Sequence, residues 1–164
     1  MFINIEKTIG FPLDKWKKLK FGKCKQYYLA SSKKNHADAL ADCKAKEAVL
    51  FEPDNELANT WVAKLAAEEG ISGYWLGIHD KGFENKFVYE STGKPISFHW
   101  WARNQPNNKK NNCNGDEDCV YAQNGDGKWQ DLCCKKEQSY VCEKPAGKYK
   151  RKLHNLEKSI QQTL

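Results

Sequence analysis

Gln105-Pro106-Asn107, then Gly115-Asp116-Glu117-Asp118-Cys119, then Trp129-Gln130-Asp131-Leu132-Cys133-Cys134: the reading of the chain turns on these segments and the polar residues between them. Oxygen-bearing side chains crowd between cysteines here, and a hard cation such as calcium takes about six to eight oxygen ligands. A polar loop of this length buries little, so disulfides, metal or both must hold it in one shape. The stretch is therefore expected to be a calcium-organised binding loop, with the remainder of the chain as its mount.

The 164 residues suit one domain, and a hydrophobic content of 40%, with six Trp, seven Tyr and seven Phe, supplies an aromatic-rich core. Seven cysteines without a zinc-type Cys-x-x-Cys pair point to disulfides, hence to an oxidising compartment and a secreted, extracellular protein. No run is long enough to span a bilayer, and residues 1–13 lack the apolar core of a signal peptide. If the protein is secreted, its signal has been removed and Met1 is not its natural start.

The net charge of +6 sits at the ends. Residues 1–23 carry six Lys against Glu6 and Asp14, and residues 144–164 carry five Lys and Arg151 against Glu157. The middle, residues 24–143, has fifteen basic and eighteen acidic residues. Basic ends draw in a polyanion such as a glycosaminoglycan, or simply solubilise the chain. No nucleic-acid motif is present, so no nucleic-acid partner is expected.

Along the chain, Lys25 to Ala30 has strand composition. A helix is expected after Ser31-Ser32, with Ala37, Leu40, Ala41 and Cys43 on its core face. Asp54 or Asn55 can cap a second helix with a Leu57, Trp61, Leu65 stripe, ended by Gly70. Short strands then follow: Tyr74 to Ile78, Phe87 to Tyr89, Phe98 to Trp101, Cys119 to Ala122 and Ser139 to Cys142. Helices first and strands after read as α+β. Leu153, Leu156, Ile160 and Leu164 form a narrow stripe near the C-terminus, a short coiled-coil seam, a docked helix or a frayed tail.

The ordered set Cys43, Trp75-Leu76-Gly77, Gln105-Pro106-Asn107, Glu117-Asp118-Cys119, Trp129-x-Asp131 and Cys142-Glu143 resembles the C-type lectin-like domain. The resemblance spans residues 22–145, between a basic extension over 1–21 and a basic tail over 146–164. It implies two helices packed on small antiparallel sheets, with a long calcium-organised loop braced by disulfides. It also implies Cys43–Cys142 and Cys119–Cys134 bridges. Cys113–Cys133 is the natural extra staple, although a swap between Cys133 and Cys134 stays open. Cys24 is left over, either linking two chains into a dimer or remaining a free or capped thiol.

In sugar-binding members of that family, one calcium is held by the triplet, the Glu before a cysteine and the Trp-Asn-Asp segment. It coordinates two vicinal sugar hydroxyls. Carried over, the primary ligands are Gln105, Asn107, Glu117, Gln130 and Asp131, with Pro106 in cis. The triplet here is neither Glu-Pro-Asn nor Gln-Pro-Asp, and Gln130 replaces the usual Asn. Only Glu117 and Asp131 remain as carboxylates, so this site is expected to be weak, altered or lost. An auxiliary calcium site at Asp80, Glu84, Asn108, Glu117 and Asp118 has acids enough, although Asp80 and Glu84 also read as an ordinary solvated turn.

The expected function is calcium-dependent glycan binding, of the kind used by soluble invertebrate lectins of innate recognition. The alternative is a domain of the same fold that binds proteins or sulfated polyanions without the primary ion. An enzyme is not expected: His36, His79, His99 and His154 are scattered, with no nucleophile motif and no paired glycosidase carboxylates.

Overall fold

The computed structural model describes residues 16–18, 25–109, 117–123 and 125–146. The elements run β1 (Lys17–Lys18), β2 (Lys25–Lys34), α1 (His36–Ala45), β3 (Val49–Leu50), α2 (Glu56–Glu68), β4 (Gly73–His79), β5 (Val88–Tyr89), β6 (Cys119–Gln123), β7 (Trp129–Leu132) and β8 (Gln138–Pro145). The strands form one sheet in the order β1-β2-β8-β4-β6-β7, with β3 also on β8 and β5 on β4. Among the pairings of these described strands, β4–β8 alone is parallel. The expected α+β class is observed.

β2 runs past Ser31-Ser32 to Lys34, with an irregularity between Ala30 and Lys34 against β8. The first helix therefore starts later than expected, where the Asn35 side chain accepts from Asp38 N. Its buried face is His36, Ala39 and Cys43, whereas Ala37 and Ala41 of the expected face are exposed. Alanines carry too little side chain to fix a helix's rotation. Here it is fixed by the Cys43–Cys142 bridge and by His36, whose Nε2 lies 2.9 Å from Leu76 O.

α2 shows the same correction. Asn55 caps it by accepting from Ala58 N at 2.9 Å, and Gly70 follows its C-terminus at φ +73°. The buried residues are Ala58, Asn59, Val62, Ala63 and Ala66, not the Leu57, Trp61, Leu65 stripe. Leu57 is 57% exposed, and Trp61 is half-buried against Tyr27. Small residues win because the helix comes very close to the turn before β7. A Cβ on Gly127 would lie 2.8 Å from Asn59 Nδ2 and 3.0 Å from Ala63 Cβ.

β4 is buried along almost its whole length and crosses the middle of the sheet. The glycine of its Trp75-Leu76-Gly77 motif permits a close neighbour, since a Cβ there would meet Leu50 O at 2.7 Å. Phe98 to Trp101 is not a strand; it makes only an isolated bridge, Trp101 to Trp129. Its aromatic side chains explain the false signal, because they pack onto the core around Trp129 instead of pairing along a strand. The expected Cys43–Cys142 and Cys119–Cys134 bridges are present, spanning 99 and 15 residues of sequence. Closing the longer loop contributes about 4–5 kcal/mol by restricting the unfolded chain. Cys133 is disulfide-bonded as well. Cys24, Cys113 and the Leu153-to-Leu164 stripe lie outside the described residues. Among the described residues, no helix is long and apolar enough to cross a membrane.

His36 gives a testable pH dependence. Burial lowers its pKa from 6.5 to about 4, against the opposing hydrogen bond to Leu76. The unfolded chain takes up this proton below its ordinary value and the folded chain does not. Stability is therefore lost as pH falls from 6.5 toward 4, by up to about 3 kcal/mol. Buried Glu143 and Asp80 have raised values and act in the opposite sense, so only a comparison of variants isolates the histidine. Urea unfolding at neutral pH and at about pH 4.5 should show a smaller acid loss for His36→Gln than for the parent. The same acid loss in both would exclude His36 as the source.

Candidate functional site

Among the described residues between β5 and β6 there is no strand, so their shape must come from contacts outside them. Trp129 of β7 supplies several. Its backbone N–H donates to Trp100 O at 2.9 Å and its carbonyl accepts from Ala102 N at 2.8 Å. Its indole Nε1 donates to Asn59 Oδ1 of α2 at 2.9 Å. Phe98 and Trp101 meet the indole edge to face at 5.5 and 5.6 Å. Gln105 N then donates to Ala102 O, and the Gln105–Pro106 peptide is cis, as expected.

Two residues along β7, buried Asp131 grips the next turn. Its carboxylate accepts from Asn107 N at 3.0 and 2.9 Å, and from Asn108 N. Asn108 adopts φ +45°, in the left-handed region that asparagine tolerates. Its side chain is used at both ends. Nδ2 donates to Glu84 Oε2 at 2.6 Å, and Oδ1 accepts from Glu117 N at 3.0 Å. Glu117 Oε2 in turn accepts from Lys109 N at 3.1 Å. Asn107, Asn108, Glu84, Glu117 and Asp131 thus form one connected group.

Asp80 stands beside it, 3% exposed. Its backbone N–H donates to Asp118 O at 3.1 Å, and its Oδ2 accepts from Asn85 N at 2.8 Å. Its Oδ1 has no partner among the described residues, and neither has the buried Gln105 Oε1. Burial pushes the Asp80 carboxyl up to about 6, with further pressure from the Glu84, Asp118 and Asp131 carboxylates. Glu117 is raised too, by burial first and then by Asp131. Unsatisfied buried oxygens beside mutually repelling carboxylates suit a hard cation that prefers oxygen ligands. The chemistry of the donors therefore fits calcium. Among the described residues, no group of three or more His, Cys, Asp or Glu is close enough as it stands to hold a metal, so the carboxylates named above would have to converge on an ion together with amide and backbone oxygens.

Gln105 and Gln130 are the expected primary ligands whose side chains the group leaves aside, with no hydrogen bond to it among the described residues; Gln130 is half-buried between buried Trp129 and Asp131. His79, at the end of β4, lies 3.2 Å from Glu90 through Nε2 while Nδ1 accepts from Lys81 N. Sequence reasoning missed Asn59. Its only signal was a polar side chain between Ala58 and Val62, on the face that turns out to be buried.

A family model described as the lectin C-type domain matches residues 32–144. C-type lectin domain family 3 member A of Homo sapiens is 37% identical over 123 residues, covering 73% of this chain and 59% of that protein. Collectin-11 of Danio rerio is 31% identical over 119 residues, covering 73% of this chain and 42% of that protein. The chain thus spans about half the length of these curated relatives. Among solved structures, the mouse scavenger receptor C-type lectin carbohydrate-recognition domain matches with a TM-score of 0.70 and 26% identity, covering 84% of this chain and 99% of that one.

Asp131→Ala tests the grip on the loop. With the acceptor gone, the Asn107 and Asn108 amides should exchange hydrogen at least about tenfold faster, because opening there becomes easier. Val120 and Tyr121 of β6 should keep their protection. Unchanged protection at Asn107 and Asn108 would mean that something other than this carboxylate holds the turn.

Proposed function

This chain belongs to the C-type lectin domain family, and from that premise we propose that it is a glycan-binding domain whose loop is organised by calcium. Members of the family are generally non-enzymatic binding proteins. The observation that carries the proposal is Asp80, a buried carboxyl with an unpartnered oxygen among other acids. Asp80, Glu84, Asn108, Glu117 and Asp118 would hold the auxiliary ion. Gln105, Asn107, Glu117, Gln130 and Asp131 would hold the primary one. Calcium, when bound, supplies coordination to two vicinal sugar hydroxyls. The surrounding side chains orient the sugar by hydrogen bonds, and amides at both 105 and 107 discriminate hydroxyl geometry less sharply than an acid–amide pair.

Few acids and a Gln at 130 in place of the usual Asn support a weak or altered primary site beside a stronger auxiliary one. Two disulfides within the described residues support an extracellular location for the domain over 22–145. A role in innate recognition follows from the resemblance alone. Immobilised glycans should retain the full chain with calcium and release it with chelator. Calorimetric calcium titration should lose heat in an Asp80→Asn variant, and separately in Asp131→Asn. Retention by no glycan under either condition would remove the reading.

The second reading is a polyanion- or protein-binding domain that does not need the primary ion. The lysine-rich ends and the acid-poor triplet favour it. Heparin binding that survives chelator and weakens steeply with salt would establish it, whereas chelator-sensitive, salt-insensitive binding would exclude it. A dimer linked through Cys24 would run at twice the monomer mass on a non-reducing gel and collapse on reduction. A monomer band in both lanes would exclude the link.

A further inference from the structure

Two lysines flank Glu117, and different parts of the structure place them there. Lys109 is reached through its own backbone, whose N–H donates to Glu117 Oε2. Lys136 is delivered by the covalent frame. Cys134, two residues before it, is bonded to Cys119, two residues after Glu117. Lys136 N donates to Cys133 O at 3.0 Å, folding the turn back on that bridge. His36 N donates to Cys134 O, which ties the same turn to the start of α1. Both lysine charges act on the Glu117 carboxyl and oppose the upward push of burial.

These cations are uncommitted. Lys109, Lys135 and Lys136 are exposed, and none forms an ion pair among the described residues. Lys17, Lys25, Lys46 and Lys81, by contrast, are paired with Glu69, Glu143, Asp42 and Glu90. Beside the free lysines, the triplet carries amides at Gln105 and Asn107. A carboxylate at either position would add to the repulsion of an anionic ligand by Glu84, Glu117 and Asp131, and an amide does not. Lysine ammonium groups on flexible stems suit a sulfate or carboxylate without demanding a fixed fork geometry.

We infer that the glycan taken by this loop carries an anionic substituent, a sulfate ester or a uronate carboxylate, held by Lys109 and Lys136 beside the Gln105–Asn107 triplet. This rests on the glycan-binding reading and names the substrate class within it. It differs from a polyanion spread over the basic ends, because the charge is read at the sugar site by two side chains.

One disaccharide in unsubstituted, sulfated and uronate-bearing forms, offered to the full chain with calcium, tests the inference. At least one anionic form should bind about tenfold more tightly than the unsubstituted form, with the gap closing as salt rises. Which anionic form gains more distinguishes sulfate from carboxylate. In a Lys109→Gln, Lys136→Gln double variant the ratio of anionic to neutral affinity should fall toward one, with the thermal midpoint preserved. Equal affinity for all forms would overturn the inference and leave the glycan reading standing. Retention of none would remove both. A preference undiminished in the double variant would assign it to the chain ends and overturn the inference.

Discussion

The carboxylate of Asp131, set on a sheet strand, holds the backbone of an irregular loop through the amides of Asn107 and Asn108. Hydrogen bonds to a charged acceptor contribute about 1.5–3 kcal/mol each, a sizeable share of a domain's net stability. The described residues between β5 and β6 make no strand pairing beyond isolated bridges, so the loop draws on this hold. The turn around cis-Pro106 is shaped by protein contacts, and an ion arriving there would meet a carboxylate already engaged with two residues. Loop shape and ion affinity therefore draw on the same oxygens.

Asn108 spreads that coupling sideways. One amide group links Glu84, beyond the end of β4, to Glu117 at the entry to β6, while its backbone N–H reaches Asp131. An acid at this position could not donate to Glu84, and a lysine could not accept from Glu117 N. Asp80 lies on the edge of the network with an unused oxygen, so the acids there are crowded but incompletely compensated. Charge is the unsettled quantity of this surface, and both the proposed cation and the nearby lysines act on it.

The class was legible from the ordering of helix and strand signals, whereas the two described disulfides and the cis triplet were implied by the resemblance that Cys43, Trp75-Leu76-Gly77, Gln105-Pro106-Asn107 and Cys142 carry. Helix rotation was not legible. Leu57 and Trp61 form the more hydrophobic stripe of α2, but the face against the sheet is chosen by how near the Gly127 turn can come, a tertiary fact. The same holds for α1, where a distant cysteine and the Leu76 carbonyl decide which side of the helix is buried. Phe98 to Trp101 carries strand composition without strand geometry, since aromatic residues satisfy burial through their rings as well as through pairing. The expected donor types were readable at the site, but their sharing through Asn108 required three dimensions.

Asn59 holds the strand behind the triplet from the helix side, without using the triplet's own side chains. Its buried amide donates to Gly127 O and accepts from the Trp129 indole, which locks α2 to the strand that bears Asp131. A buried polar group with partners at both ends stiffens its surroundings, whereas a half-satisfied one would cost stability. Trp129 then positions Trp100 and Ala102 through its own backbone, and Ala102 positions Gln105. None of these contacts uses the side chain at 105 or the side chain at 107. Asn107 adds a separate hold, its Oδ1 accepting from Lys109 N at 3.0 Å, so altering the Gln105 side chain leaves the way the loop is held intact, whereas altering Asn107 loosens the turn as well.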